Sequence, residues 1–266
     1  MITLDSLKNI RLLNMNNKKV LRGVGRIYRY HKLKKSTCRT WSLIWKPICA
    51  STEIELSNWI AEKPVGKNRL KAIFASSQKY GQGQLGRTWQ SPKGGVWVSA
   101  AINRENGNTN NSELYGLAVA LAMVERFEEI GVDVKIKWPN DLLVDGKKLA
   151  GILPRLFFRG GKLRLFRVGV GLNVFNNVPE EGISLKQIVR DGIMNINYWS
   201  SEVLYSIERS LDYLDDQKFL CSQIEQRLWS RKYYDKKTGF QFDIKGIDSK
   251  GRLIVNKDGI ERLIAN

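Results

Sequence analysis

The sequence predicts a mixed α/β (α+β) fold, a mixed β-sheet with flanking helices followed by a small β unit, and three observations carry that prediction. Apolar runs of strand length recur at residues 70–74, 96–102, 149–156 and 163–170. Between them Leu114, Leu117, Leu121, Val124 and Phe127 return at helical spacing. Near the end, Phe240, Phe242 and Ile244 alternate with polar residues, as in a strand with one covered face. Helix and strand signals interleave up to about residue 229, and beyond it strand signals alone remain.

Taken in order, residues 1–40 read as a basic N-terminal extension, with Asp5 the only acid against eleven Lys and Arg. Leu7, Ile10 and Leu13 are spaced to line one short helix; no second amphipathic helix and no helix-turn-helix pattern follows. A tail of this charge reads as a solvated, poorly ordered arm. Residues 41–47 make a first strand. Ser51 and Thr52 then cap a helix whose apolar side is Ile54, Leu56, Trp59 and Ile60, since a hydroxyl accepts from the free amides of a first turn. Ser112 caps a long helix over 113–130 that Gly131 ends. Strands follow at 134–137, 142–144, 149–156 and 163–170. Asp145-Gly146 and Gly160-Gly161 form their hairpin turns, because such pairs accept positive φ. Helices cover 201–214 and 218–229. The tail adds Leu253, Ile254 and Val255, with turns at 248–251 and 258–259. The expected organisation is an extension (1–40), a main domain (41–229) and a small C-terminal β domain (230–266).

Composition narrows the function classes. Forty-two per cent hydrophobic residues supply a core, and no apolar run approaches the ~18–20 residues of a membrane span. Cys38, Cys49 and Cys221 are odd in number and far apart, which argues against a disulfide framework and for a reducing, cytoplasmic setting. His31, the only histidine, sits in the basic stretch 29–35, so histidine-based catalysis and His-rich metal centres are excluded. Chemistry must run on Lys, Arg, Asp, backbone amides and a bound cation. The net charge of +18 favours polyanionic partners in general.

The densest chemical signal is Gly81-Gln-Gly-Gln-Leu-Gly-Arg-Thr-Trp-Gln-Ser-Pro-Lys-Gly-Gly95, directly after the strand at 70–74. Glycines let a main chain approach a ligand, successive amides make an anion-binding concavity, and Arg87 adds a forked cation. Taken alone the stretch is equally a surface turn. Three further segments change that reading: Lys137-Trp-Pro-Asn-Asp-Leu142, Lys148-Leu-Ala-Gly-Ile-Leu153 and Gly169-Val-Gly-Leu-Asn-Val174.

In this order the four segments resemble the biotin–protein ligase family, and the likeness runs from about Trp41 to Gly259. It implies a class II synthetase-like biotin/lipoate ligase core and a small, truncated SH3-like β domain at the C-terminus. It also implies a monofunctional enzyme, since residues 1–40 hold too little pattern for the DNA-binding winged helix of some members. The family's biotin carboxylate attacks the α-phosphate of ATP, giving biotinyl-AMP and pyrophosphate. A lysine of a biotin carboxyl carrier protein, here of acetyl-CoA carboxylase, then takes the biotinyl group. Charge develops in both steps, so cations, amide donors and Mg²⁺ serve better than a strong base.

The resemblance assigns roles residue by residue. Lys148 is the catalytic cation touching the biotin carboxylate and the α-phosphate, with Arg87 and Asp141 beside it. Biotin is expected against Ser51, Thr52, Gln78, Gly81, Gln82, Gly83, Gln84, Lys148, Gly151 and Leu153. ATP is expected against Arg87, Trp89, Asn140, Lys148 and Asn173, with Asp141 and Asn173 offering oxygen to Mg²⁺. An uncharged urea suits hydroxyl and amide partners. Specific DNA and a membrane are not expected as partners; a homodimer is allowed.

Departures are also legible. The usual loop carries arginines where this chain has Gln82, Gln84 and Leu85, and the position of Gln84 is the one that holds the adenylate. Either another cation such as Lys79 or Lys93 compensates, or the intermediate leaks. Glu53 replaces an expected asparagine, and Pro154-Arg155 an apolar-acidic pair. Two other readings stay open: a lipoate or octanoate ligase-type acyltransferase, and a biotin-sensing nucleic-acid-binding regulator.

Overall fold

Strand-forming and helix-forming stretches sort into layers. The computed structural model describes residues 24–32, 40–66, 69–104, 112–189 and 195–265; the helix expected around Leu7, Ile10 and Leu13, and Cys38, lie outside them. Helix α1 is Val24–Lys32, strand β1 Thr40–Lys46, helix α2 Thr52–Glu62, β2 Arg69–Ala75 and β3 Val96–Asn103. Helix α3, Tyr115–Glu128, precedes β4 (Lys135–Lys137), β5 (Asp141–Val144), β6 (Lys147–Arg159) and β7 (Lys162–Leu172). Helices α4 (Leu185–Ile188), α5 (Ile196–Tyr213) and α6 (Gln217–Gln226) lead into β8 (Lys232–Tyr234), β9 (Gln241–Ile247), β10 (Leu253–Lys257) and β11 (Ile260–Ile264).

Strands β1 to β7 form one seven-stranded sheet in the order β1-β2-β3-β7-β6-β5-β4. The β1–β2 pair is parallel and the rest antiparallel, so the sheet is mixed, as expected. The two hairpin turns carry positive φ at both central residues, 49° and 78° at Asp145-Gly146 and 57° and 69° at Gly160-Gly161. Strand alternation divides the sheet into two faces. Leu70, Ala72 and Phe74 of β2 enter the large core under α1, α3 and α5, whereas Ile73 joins a small cluster with Leu56 of α2, Val65 and Ala101 of β3. The α2 face is only partly covered, which leaves room on it for a cleft.

The C-terminal unit is a four-stranded antiparallel sheet, β11-β10-β9-β8. Its Phe242, Ile247, Leu253 and Val255 belong to the large core, and Trp138 Nε1 donates to Gly251 O at 2.8 Å. The small sheet is thus seated on the main body by shared apolar surface.

Several expectations are corrected. The basic extension holds an amphipathic helix where none was expected: α1 packs on α5 and buries Ile27, Tyr30 and His31. Its apolar stripe is short and its mean composition basic, so it needs the partner helix to form; burying a large apolar side chain is worth about 1.5–3 kcal/mol. His31 has a structural place, Nε2 lying 3.4 Å from Glu208 Oε1. Ser112 does not cap the long helix: residues 112–114 form a 3₁₀ turn and Leu114 precedes α3 without a side-chain cap. Helix α5 starts earlier than residue 201, because Asn195 Oδ1 accepts from Asn197 N at 2.8 Å and Tyr198 N at 3.3 Å. Helix α6 stops before Trp229, whose N–H donates to Ile136 O at 2.9 Å on β4.

Candidate active site

A cleft opens on the α2 face of the sheet, about 790 Å³ counting the space open to solvent. Its rim and floor bring together predicted residues from five separate segments. Ser51 and Thr52 open α2, Gln78 follows β2, and Gln82, Gly83, Gln84, Arg87 and Trp89 come from the glycine loop. Asn140 precedes β5, and Lys148, Gly151 and Leu153 lie on β6.

One end of the cleft is lined by hydroxyls and an amide, with the Glu53 carboxylate beside them. Ser51 is the N-cap of α2, as expected, its Oγ accepting from Glu53 N at 3.3 Å. Gln78 Oε1 accepts from Thr52 N at 2.7 Å and Thr52 Oγ1 at 3.0 Å, and Gln78 Nε2 donates to Ser91 Oγ at 2.8 Å. Thr52 Oγ1 also lies 2.8 Å from Ser99 Oγ of β3.

The other end carries Lys148. Pairing of β5 with β6 runs Asp141–Gly151 and Leu142–Ala150, then slips by one residue to Leu143–Lys148. This bulge inserts one residue and reverses side-chain parity. Lys148 thereby joins Gly151 and Leu153 on the cleft face, while Leu149, Ala150 and Ile152 stay in the core. Lys148 Nζ lies 2.6 Å from Asp141 Oδ1 and 4.8 Å from the centre of the Trp89 ring.

Between the two ends lies Trp89. Gly151 of β6 and Gly171 of β7 are register partners. A Cβ on Gly171 would stand 2.5 Å from Trp89 Cε2, and one on Gly151 2.8 Å from Cζ3. The two missing side chains make the seat on which the indole rests, and its Nε1 is buried without a hydrogen-bond partner. The glycine loop is internally tied: Gly83 N donates to Arg87 O at 2.7 Å and Trp89 N to Gly81 O at 2.9 Å. Leu85 and Gly86 turn the tip at φ 55° and 74°. Arg87 is exposed, its Nε donating to Gln84 O at 3.1 Å.

Three predicted residues do not line the cleft. Gly81 is packed inside the loop, where a Cβ would stand 2.4 Å from Trp89 O. Asp141 reaches the site only through Lys148. Asn173 is buried, donating to Lys148 O at 3.2 Å and accepting from Asn176 Nδ2 at 3.0 Å, so it supports the bulged strand. Neither Lys79 nor Lys93 lines the cleft; Arg155 reaches the loop instead, its Nη2 3.2 Å from Gln82 Oε1. Glu53, Ser99, Gly169 and Gly171 line the cleft and were missed as site residues. The Gly-Val-Gly spacing of 169–171 was the signal for two of them.

Cys49, beside Gln78, has its thiol pushed up to about 11, by burial first and the nearby Glu55 second. It is a neutral packing group at physiological pH.

Residues 60–173 match the model of the Biotin/lipoate A/B protein ligase family. The chain is 31% identical to the chloroplastic biotin–protein ligase 1 of Arabidopsis thaliana, over 81% of this chain and 62% of that protein. It is 31% identical to the biotin–[acetyl-CoA-carboxylase] ligase of Paracoccus denitrificans, over 41% of this chain and 46% of that one. It thus spans less than two thirds of the length of either. Among solved structures, the biotin protein ligase from Aquifex aeolicus in complex with biotin and ATP superposes with a TM-score of 0.66 at 26% identity, covering 84% of this chain and 95% of that one.

Proposed function

We propose that this chain is a member of the biotin/lipoate A/B protein ligase family and an ATP-dependent biotin–protein ligase acting on a biotin carrier domain of acetyl-CoA carboxylase. The observation that carries the proposal is the polarity of the cleft. One end offers hydroxyls, an amide and a carboxylate already held by two arginines, groups that can pair with the N–H and C=O of a neutral urea, and the other the Lys148 ammonium, suited to a carboxylate. Biotin has a cyclic urea at one end and a carboxylate at the other.

In the first step a carboxylate oxygen bonds to the α-phosphorus of ATP and the bond to pyrophosphate breaks. Two anions must approach, and Lys148 offsets their repulsion. As a compact point charge on a flexible stem it follows the negative charge from the carboxylate to the phosphate. Asp141 positions that ammonium in the resting site. In the second step a carrier lysine amine attacks the acyl carbon, AMP leaves with the electron pair, and the amine proton passes to solvent. Trp89 roofs its glycine seat and offers a buried, unsatisfied N–H; loop amides and Arg87 face the phosphates when the loop closes over nucleotide.

Asp141 and Asn173 do not fit as a metal pair. Lys148 Nζ lies 2.6 Å from Asp141 Oδ1, and Asn173 is turned inward, its Nδ2 donating to Lys148 O and its Oδ1 accepting from Asn176 Nδ2. The proposal assigns Mg²⁺ no protein ligand and takes no step through it. A reducing, cytoplasmic setting, a homodimer and the lack of sequence-specific DNA contact also belong to this reading; among the described residues no helix is long and apolar enough to cross a membrane.

The test is transfer of labelled biotin to a purified biotin carrier domain with ATP and Mg²⁺. Lys148→Ala is expected to lower kcat/KM about 100-fold or more while leaving the melting temperature in place. Biotin-dependent exchange of pyrophosphate into ATP, without lipoate-dependent exchange, separates this reading from the lipoate-type alternative. A wild type that exchanges only with lipoate would overturn it.

A further inference from the structure

Glu53, in the first turn of α2, is 5% exposed. A buried carboxylate is costly unless its oxygens are paired. Only one of them is. Oε2 lies 3.0 Å from Arg167 Nη2 and 3.7 Å from Arg155 Nε, and Arg167 Nη2 also donates to Glu53 O at 2.9 Å. Oε1 is buried with no hydrogen-bond partner. It faces the cleft across Gly169, where a Cβ would stand 3.5 Å from Leu153 Cβ, 3.6 Å from Glu53 Oε1 and 3.8 Å from Ser99 Oγ. Glycine there leaves a methyl-sized gap beside the unpaired Glu53 oxygen and the Ser99 hydroxyl, which is already engaged by Thr52 Oγ1.

The neighbouring acceptor is already spent. An amide carbonyl accepts at two lone pairs, and Gln78 Oε1 takes both Thr52 N and Thr52 Oγ1. A ligand with N–H donors at this end therefore needs another oxygen. We infer that Glu53 Oε1 accepts a hydrogen bond from a ring N–H of the ligand's uncharged head, and that Glu53 is a specificity-determining residue selecting heads that donate there. Arg167 and Arg155 fix the other oxygen, so the carboxylate enters the cleft already oriented. This rests on the ligase reading, in which the head is the cyclic urea of biotin. It gives a purpose to the exchange of the expected asparagine for glutamate and to the two arginines behind it.

The experiment uses the full chain, with biotin binding measured by calorimetry and KM for biotin and for ATP by transfer. In Glu53→Gln the amide must turn its oxygen to Arg167, which has only donors, and so point its NH₂ at the ligand's N–H. Dissociation constant and KM for biotin are expected to rise about tenfold or more, with KM for ATP and the melting temperature unchanged. The double variant Glu53→Met/Arg167→Met removes the buried pair without leaving a lone charge, keeps the fold, and is expected to lose biotin affinity to a similar degree. Folded variants that both bind biotin like the wild type would overturn the inference and leave the ligase reading standing. A wild type that binds no biotin would overturn the ligase reading itself.

Discussion

Two buried arginine–glutamate pairs flank the large sheet, one on each face, and they are balanced differently. On the helical face Arg126 Nε donates to Glu202 Oε2 at 2.7 Å, with Glu129 on the same guanidinium and the Tyr205 ring 5.2 Å away. On the cleft face Arg167 meets Glu53. Burial pulls both guanidinium groups down. At Arg126 the charge and hydrogen bond of Glu202, with Glu129, outweigh burial and raise it; at Arg167 burial prevails over Glu53, and Arg155 adds repulsion. Glu202 is engaged on a second side by Tyr198, whose hydroxyl is pushed up by burial and then by that carboxylate. Glu53 keeps an oxygen unused. A clamp between helices is closed on itself, whereas a pair that serves a ligand leaves one valence open to the cleft.

The comparison can be broken most forcefully at the clamp. Glu202→Ala leaves the largely covered Arg126 with Glu129 as its remaining carboxylate partner and is expected to cost about 3 kcal/mol in urea unfolding, with biotin affinity per folded molecule unchanged. A loss of affinity at full stability would reverse the roles of the two faces. Next in size is Gly171→Ala. Its Cβ would stand 2.5 Å from the Trp89 indole, so the ring must leave its seat. Overpacking of this kind costs about 1–3 kcal/mol, and a shift in tryptophan emission would report the displacement.

The smallest effect lies at a surface pair of similar chemistry, Asp248 with Arg252, 2.6 Å apart in the turn between β9 and β10. Partial burial alone would raise the Asp248 carboxyl, but hydrogen bonds from Arg252 and from the amides of Arg252 and Lys250 hold it below its usual value. A depressed carboxyl contributes stability above its unfolded pKa, and that contribution is lost as pH falls through the folded value. Asp248→Asn should therefore melt slightly lower than the wild type at neutral pH, by under about 1 kcal/mol, and the gap should close below about pH 4. A gap that persists in acid would place the effect in the turn's hydrogen bonds and not in charge.

Much of this was legible in the chain. The Ser51 cap, the Asp145-Gly146 and Gly160-Gly161 turns and the Gly-rich loop follow from local backbone chemistry, and the structure keeps them where they were read. The cleft residues Ser51, Thr52, Gln78, Lys148 and Gly151 were reachable through the family resemblance that the motif order carries. Helix α1 was not, because its few apolar residues acquire meaning only against α5. The start of α3 was misread for a related reason: tight packing of Leu114 and Tyr115 into the core overrode the hydroxyl at Ser112.

Glu53 marks the boundary most clearly. By itself the sequence determined the local conformations, the apolar faces and the order of the chemical segments, since these depend on neighbours a few residues apart. Tertiary structure alone decided which oxygens are paired and which stay open. It brought Arg167, 114 residues away, onto Glu53 Oε2, and a one-residue slip between β5 and β6 turned Lys148 toward the cleft. Register and side-chain pairing are set by packing across the sheet, and no window along the chain contains both partners.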